Sequence, residues 1–242
     1  MLESLARDLR ARGARDAAPI GALPALFGAA ELPSSVGEEP ALGIADDTLA
    51  PIGFEPVGTF AVTGPPQSGK TNAMRAIVDA VRRFDPEVKL FHLAGRRAQL
   101  ADHAPWVRSA TTVDGVKLLA KELVDVVGDA DVPGRFVIVV ENVTQFADSD
   151  AERPLKELFQ AINRSDHFLV GDAEVATLSA GFGFVGDFKA GRRGLALKPD
   201  AFDGDSVFKT PFPKVKRSDF PEGRGIFVQN GRIMTVQVPL AG

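Results

Sequence analysis

The sequence of 242 residues contains no cysteine and only three histidines. Without cysteine, disulfides and thiolate chemistry are excluded, and the composition is compatible with a cytosolic location. The histidines, His92, His103 and His167, do not have the spacing of zinc ligands, which argues against a structural zinc site. Long apolar runs are missing too, since a run such as Phe136–Val140 is far shorter than the roughly 20 residues that span a bilayer.

The sequence also lacks an excess of basic over acidic residues. The formal charge is −4 and the isoelectric point is near 5.5, whereas a stand-alone nucleic-acid binder usually presents a basic surface. Basic residues become more frequent from 189 to 217, but Asp187, Asp200, Asp203 and Asp205 are interspersed with them. A solvated mixed surface is therefore favoured over a stripe that tracks phosphates, and DNA is not an expected partner.

The first 57 residues differ in pattern from the rest. Residues 2–12 have apolar side chains at helical spacing, which predicts a short amphipathic helix. Charged residues interrupt this segment, so it lacks the apolar core of a signal peptide. Residues 18–56 are rich in proline and glycine, which predicts a segment without long regular elements that wraps the surface of the remaining chain. We therefore expect a lead-in at 1–57 and a second unit at 58–242.

From residue 59 onward, β-rich runs alternate with amphipathic helical patterns. Strands are predicted at 59–64, 88–95, 135–142, 167–172 and 192–199, and helices at 72–84, 113–127 and 151–163. The run at 135–142 is continuously apolar and β-branched, as in strands buried on both faces of a parallel sheet. Asn230-Gly231 between two β-rich runs predicts a C-terminal hairpin. This alternation predicts a three-layer α/β sandwich with a mostly parallel central sheet.

The sequence "GPPQSGKT", residues 64–71, matches the phosphate-binding pattern G-x-x-x-x-G-K-[ST] between a strand and a helix. Gly64 and Gly69 permit backbone dihedrals that point successive amides at phosphate oxygens. Lys70 can reach the terminal phosphates, Thr71 can offer its hydroxyl to Mg²⁺, and the helix start adds its positive dipole end. The predicted nucleotide-binding residues are Gly64, Pro65, Pro66, Gln67, Ser68, Gly69, Lys70, Thr71 and Asn72.

The strand "FVIVVENV" ends where nucleotide hydrolases place their metal-binding and water-activating acids. Glu141 is predicted to join Thr71 in the magnesium shell. The next residue is Asn142, whose amide cannot accept a proton from water but could position one. Because a positioned base contributes about 10²- to 10⁴-fold in rate, we expect slow or absent hydrolysis. The alternative is that Glu141 and Asn142 only form a strand-end turn.

Two further groups are candidates for catalysis. Asp172 and Glu174 come after the fourth predicted strand, at the sheet edge where ligands bind in such folds, and could polarise a water. A capping turn before the next helix is the favoured alternative for them. Arg164 precedes that strand and could act as an arginine finger on a neighbouring subunit, although a plain surface arginine is favoured.

Together these residues resemble the FtsK/SpoIIIE family of P-loop ATPases. More narrowly, they are similar to the last ATPase domain of the type VII secretion motors EccC and EssC. The matching segments cover nearly the whole chain and include "LPALF", "FAVTGPPQSGKTNAMRAI", "VVENVTQFADSDAERPLKELFQAI" and "DFPEGRGIFVQNGRIMTVQVP".

This resemblance implies a RecA-like fold that binds ATP and Mg²⁺, with phosphate-binding roles for Gly64, Gly69, Lys70 and Thr71. It does not extend to the acid pair, because the family has an aspartate followed by a second acid. It also implies a membrane-anchored motor with several such domains, and hence a place on the cytoplasmic side of the membrane. The partners it implies are other ATPase domains of the motor and small helical WXG-type secretion substrates.

The sequence supports three hypotheses for function. The first is an ATP-binding module of a type VII secretion motor with weak or no hydrolysis, which serves substrate docking or assembly. The second is a competent ring ATPase that translocates protein or DNA, with Glu141 on the metal and Asp172 or Glu174 as the base. The third is a structural docking domain that binds no nucleotide.

Overall fold

The computed structural model describes Ala11 and residues 21–129, 134–181 and 183–241. The predicted amphipathic helix at 2–12 lies outside these residues except for Ala11. Among the described helices, none combines the length and the apolar character that crossing a membrane requires.

The described residues form a single sheet of 11 strands. In spatial order the strands are β1-β2-β11-β10-β9-β4-β8-β7-β5-β6, and β3 pairs with β2. Their bounds are β1 Ser35–Val36, β2 Glu39–Ala45, β3 Pro51–Gly53, β4 Gly58–Thr63, β5 Lys89–Leu93, β6 Arg108–Ala110, β7 Phe136–Val140, β8 Phe168–Ala173, β9 Gly194–Leu197, β10 Arg224–Gln229 and β11 Arg232–Gln237. The central strands from β9 to β6 run parallel, and the remaining pairs are antiparallel.

Helices cover both faces of this sheet. Their bounds are α1 Lys70–Phe84, α2 Val113–Gly128, α3 Glu152–Ile162, α4 Val175–Ala180 and α5 Phe184–Lys189. Helix α1 packs its apolar side, including Met74 and Ile77, on one face of the sheet. Helices α2, α3 and α5 pack on the other face through residues such as Leu119, Leu158 and Phe188. The predicted three-layer sandwich with a parallel central sheet is therefore confirmed.

The environment of strand β7 explains why apolar and polar residues do not alternate along the run at 135–142. All five residues of β7 are buried. Val137 and Val139 face the core under α1, whereas Phe136, Ile138 and Val140 face the core under the other helices. A strand between two helical layers must be apolar on both sides, as the sequence pattern predicts.

The lead-in contributes more regular structure than its proline and glycine content predicts. Strand β2 has seven residues and pairs antiparallel with β11, with Ala45 opposite Val236. Phe54 is fully buried, and its ring centroid lies 5.7 Å from those of Phe60 and Phe168. The expectation of a merely wrapping segment missed this strand, because its partner comes almost 200 residues later in the chain. The division at residue 57 stays a prediction.

The C-terminal hairpin has the turn that its sequence predicts. Asn230 and Gly231 both have positive φ, 52° and 73°, as a type I′ turn requires. Gln229 and Arg232 pair on either side of the turn. The hairpin joins the parallel strands to β2, so that the lead-in and the C-terminus complete the sheet together.

Candidate functional site

The predicted site residues meet at one edge of the sheet. Parallel strands β4, β8 and β7 all end there, followed by the loop 64–69, by Asp172 at the end of β8, and by Glu141. The carboxyl ends of parallel strands are the usual place for ligands in α/β folds. We call residues 64–71 the loop side of this site. Gln99, Glu141 and Asn142 form its acid side.

The loop side has the backbone geometry of a phosphate cradle. Gly69 has a φ of 93° and Gln67 a φ of 58°, both in the left-handed region. A Cβ atom at Gly64 would lie 2.5 Å from Ser68 Oγ and 2.7 Å from the carbonyl oxygen of Leu197. Glycine is thus required at 64 by the close approach of β9 and at 69 by the turn into α1.

Polar groups of the loop side still have capacity for a ligand. The Lys70 ammonium donates to the carbonyl oxygens of Gly64 and Pro65, both at 3.1 Å, which leaves its third hydrogen. The Ser68 hydroxyl is buried and has no hydrogen-bond partner among the described residues. A buried hydroxyl without a partner is costly. The donor set therefore fits an anion with several oxygens, such as a nucleotide phosphate.

A cavity of about 780 Å³ opens in front of the loop. This volume is within the range of small-molecule sites, about 300–1,000 Å³. Its lining comprises Gln67, Ser68, Gly69, Lys70, Thr71, Asn72, Arg75, Gln99, Asn142, Asp172, Ala173, Glu174 and Glu222. Six of the nine predicted nucleotide-binding residues thus line one cavity. Of the other three, Gly64 and Pro65 hold Lys70, and Pro66 lies exposed in the loop.

Asn72 lines this cavity, but its amide is bound to the C-terminal segment. Its Nδ2 donates to the carbonyl oxygen of Pro239 and its Oδ1 accepts from the Ala241 N–H, both at 2.9 Å. These two bonds fix the end of the chain against the first turn of α1. The predicted contact of Asn72 with a nucleotide stays a prediction, whereas its contact with the C-terminal segment is a feature of this fold.

On the acid side, Glu141 is engaged by four hydrogen bonds. Oε1 lies 2.8 Å from His92 Nε2 and accepts from the N–H groups of Leu100 at 2.9 Å and Gln99 at 3.0 Å. Oε2 accepts from the same Gln99 N–H at 2.8 Å. Burial raises the pKa of Glu141, but the bonds from His92, Gln99 and Leu100 outweigh it and leave the pKa below that of an ordinary glutamate.

His92 links Glu141 to further residues of the same buried cluster. Its ring is fully buried, with Nδ1 2.8 Å from Ser109 Oγ. The Trp106 ring stacks on it at a centroid distance of 4.9 Å, and Trp106 Nε1 donates to the carbonyl oxygen of Leu100 at 3.1 Å. These contacts connect Glu141 to the ends of strands β5 and β6 and to the segment 95–106.

Thr71 reaches the acid side through Gln99. The Thr71 hydroxyl donates to Gln99 Oε1 at 2.8 Å, and the Gln99 carbonyl oxygen accepts from the Arg75 guanidinium at 2.9 Å. Arg75 is four residues after Thr71, on the same side of α1. Gln99 therefore lies between the two residues that the sequence predicts as metal ligands, Thr71 and Glu141.

Asn142 and Asp172 face the cavity together. Asn142 has a left-handed backbone with a φ of 47°, and its N–H donates to Asp172 Oδ1 at 2.8 Å. Burial raises the pKa of Asp172, and the Asn142 N–H bond and the charge of Lys70 compensate only in part. Glu174 is also on the cavity lining, directly before α4. The structure thus brings both alternative acids to the site.

Arg164 lies away from the site. It is exposed in the turn between α3 and β8, where β8 begins. Strand β8 has six residues, and a strand of that length spans about 20 Å. Arg164 is therefore at the opposite edge of the sheet from the cavity of its own chain, and a role toward a neighbouring subunit stays a prediction.

Four cavity residues have no counterpart among the sequence predictions: Ala173 and the polar residues Arg75, Gln99 and Glu222. A Cβ atom at Gly69 would lie 3.4 Å from Glu222 Cγ, so the "FPEG" segment lies beside the loop. Arg75 could have been found from its helical spacing to Thr71. Gln99 and Glu222 come from irregular segments, and no local pattern signals their position.

No protein-family model matches this chain, and no curated protein matches it. Solved structures do resemble it. The cytoplasmic domain of the Thermomonospora curvata type VII secretion ATPase EccC superimposes with a TM-score of 0.76 at 21% identity, over 93% of this chain and 29% of that chain. ATPases 2 and 3 of the same EccC, in complex with a signal sequence peptide, give a TM-score of 0.75 at 20% identity, over 95% of this chain and 46% of that chain.

The cytoplasmic domain of EssC gives a TM-score of 0.67 at 17% identity, over 99% of this chain and 53% of that chain. The fold is that of the type VII secretion ATPase domains. The predicted RecA-like P-loop class and the resemblance to EccC and EssC are therefore confirmed at the level of the fold. This chain spans between about a third and a half of the length of these structures.

Proposed function

We propose that this chain is an ATP-binding module of a type VII-like protein secretion motor that hydrolyses ATP slowly or not at all. The observation that supports it best is the contrast within one cavity. The loop side offers phosphates Lys70 and the Ser68 hydroxyl, which has no partner within the described part of the chain. Asn142, by contrast, stands where a general base is needed.

Magnesium would accompany the nucleotide. The Thr71 hydroxyl donates its hydrogen to Gln99 and keeps its oxygen lone pairs for a cation. The shell predicted from the sequence pairs Thr71 with Glu141, and that pairing stays a prediction. When bound, the ion would neutralise charge on the phosphates.

The role in the motor is docking or assembly. By its fold the chain resembles domains of proteins that contain several ATPases, one of which was solved with a signal sequence peptide. We therefore propose other ATPase domains of the same motor and small helical WXG-type substrates as partners. The place of action would be the cytoplasmic side of the membrane.

Calorimetric titration with ATP and Mg²⁺ tests the nucleotide site. We expect a dissociation constant on the order of micromolar. Lys70→Ala should weaken binding at least about 10-fold, because charge-assisted bonds to phosphate are lost. Lys156→Ala is the matched control, since Lys156 is an exposed lysine of α3. No binding in any variant would overturn the proposal and favour a structural docking domain.

Phosphate release under saturating ATP and Mg²⁺ tests the second half of the proposal. We expect far less than about one turnover per second, the lower end of ordinary enzymes. Turnover of several per second that Lys70→Ala abolishes would show that the site is competent and that the weak-hydrolysis proposal is wrong.

A competent ring ATPase is the second candidate, and the position of Asp172 favours it. Its carboxylate faces the cavity, accepts the Asn142 N–H and has a raised pKa because of burial, as a general base requires. This candidate predicts that Asp172→Asn abolishes turnover while nucleotide affinity persists. Equally low turnover of the wild type and of Asp172→Asn would leave no role for Asp172 in hydrolysis.

A further inference from the structure

Gln99 occupies the position between Thr71 and Glu141. Its side-chain oxygen accepts the Thr71 hydroxyl at 2.8 Å, while its backbone N–H donates to Glu141 Oε2, also at 2.8 Å. Its carbonyl oxygen accepts from Arg75 at 2.9 Å. The backbone of Gln99 is thus fixed at two points, and its amide is directed at Thr71.

Glu141 is poorly suited to hold a cation in this arrangement. Its Oε1 already has three hydrogen-bond donors, from His92, Gln99 and Leu100, its Oε2 accepts the same Gln99 N–H, and the residue is buried. Mg²⁺ requires nearly ideal octahedral geometry at about 2.0–2.1 Å and gives up water reluctantly. A carboxylate fixed by buried donors cannot reorient for such an ion without breaking those bonds.

We infer that Gln99, and not Glu141, is the residue that orients the Thr71 hydroxyl, and that its neutral amide makes nucleotide binding only weakly dependent on magnesium. This inference rests on the proposed function, since it concerns a nucleotide held by the loop side. An amide accepts the Thr71 hydrogen as a carboxylate does, but it adds no negative charge beside the cation. The electrostatic attraction for Mg²⁺ is correspondingly smaller.

The chain carries its own reporter for the acid side. Trp106 is the single tryptophan and the sequence has no tyrosine. It donates to the Leu100 carbonyl oxygen and stacks on His92, and both of these residues contact Glu141. A cation that recruits Glu141 must disturb this cluster, and the emission of Trp106 would change with it.

The test measures ATP affinity by calorimetry with excess Mg²⁺ and with EDTA, for the wild type and three variants. We expect the wild-type affinity to differ less than about 3-fold between the two conditions. Gln99→Glu should create a dependence of about 10-fold or more, because it places a carboxylate on Thr71. Glu141→Gln should leave the weak dependence unchanged.

Gln145→Glu is the matched control for the added charge. Gln145 lines a second cavity, of about 430 Å³, whose lining also includes Thr71, Gln99 and Glu141. Its amide donates to the Glu141 carbonyl oxygen and not to Thr71. We expect a smaller gain in magnesium dependence than for Gln99→Glu. An equal gain would mean that charge anywhere in the cavity suffices, and would overturn the role assigned to Gln99.

In parallel, Mg²⁺ is titrated into the ATP-saturated wild type while Trp106 emission is recorded. Unchanged emission is expected. A clear emission change, together with a wild-type magnesium dependence above about 10-fold that Glu141→Gln removes, would overturn the inference and leave the proposed function standing. Failure of the wild type to bind ATP in either condition would remove the proposed function itself, and the inference with it.

Discussion

The loop side and the acid side line two adjoining cavities. The protein itself satisfies the polar groups of the acid side more completely than those of the loop side. On the loop side, Ser68 has no hydrogen-bond partner among the described residues, and Lys70 uses two of its three hydrogens. On the acid side, Glu141 accepts four hydrogen bonds, and Gln99 is held by Thr71 and Arg75.

Because of this difference, we expect different residues to determine ligand affinity and the stability of the fold. A polar group without a partner in the protein gains hydrogen bonds when a ligand binds, so it contributes to the binding free energy. A group that is already paired inside the protein contributes to the folding free energy instead. The loop side is therefore expected to determine affinity and the acid side to determine stability. Substitutions on each side can break or sharpen that separation.

The largest effect is expected on the acid side. Glu141→Ala leaves His92 and two backbone N–H groups without their acceptor in a buried cluster, which should lower the free energy of unfolding by about 3–5 kcal/mol. Urea unfolding measures it, with Glu157→Ala as the control at an exposed ion pair with Arg153. A loss near that of the control would contradict the structural role of Glu141.

The same carboxylate predicts a pH dependence. The pKa of Glu141 is lower in the folded protein than in the unfolded chain, so its stabilising contribution is present above the unfolded pKa of about 4.3. The contribution is lost as the pH falls through the lower, folded pKa. The stability difference between wild type and Glu141→Ala should therefore shrink in acid and be largest near neutral pH.

The next effect is on the loop side. Gly64→Ala places a methyl group against Ser68 Oγ and the Leu197 carbonyl oxygen, which should destabilise the fold by about 1–3 kcal/mol. It should also weaken ATP binding at least about 10-fold, because the loop amides move. In the control, Gly186→Ala of α5, the added methyl meets no atom of the residues that the structure describes within 4 Å. Retention of full ATP affinity by Gly64→Ala would show that the loop tolerates displacement.

Asn72→Ala tests whether a residue that lines the nucleotide cavity contributes to stability and not to ATP binding. The side chain makes two hydrogen bonds to the C-terminal segment, so we expect a loss of about 1–2 kcal/mol in unfolding free energy and little change in ATP affinity. Thermal denaturation and calorimetry measure the two effects. A large loss of affinity with unchanged stability would instead assign Asn72 to nucleotide binding, as the sequence pattern predicts.

The smallest effect is expected at Asp172. Burial raises its pKa in the folded protein, so the ionised form is disfavoured there and folding carries a penalty at every pH above the folded pKa. Asp172→Asn should therefore stabilise the protein by up to about 1 kcal/mol at neutral pH. The gain should disappear as the pH falls below the unfolded pKa of about 3.9. Unfolding curves recorded from acid to neutral pH measure this, and a destabilised variant would contradict the burial penalty.

Much of this protein is determined by local sequence. The run 59–64, the loop "GPPQSGKT" and helix α1 come one after another because β-branched residues, glycines and helical spacing each favour their own backbone conformation. The turn at Asn230-Gly231 is fixed in the same way, by two residues that adopt positive φ easily. The position of the loop side was therefore predictable from the sequence.

The acid side was not predictable in this way. Glu141 ends its strand as expected, but its partners His92, Gln99 and Leu100 come from a segment more than 40 residues earlier, whose position depends on the pairing of β5 with β7. Strand β2 likewise pairs with β11 across most of the chain. Local propensity determined where the phosphate loop is. Which acids remain available beside it was decided only by tertiary packing, because hydrogen bonds between distant strands leave no pattern in neighbouring residues.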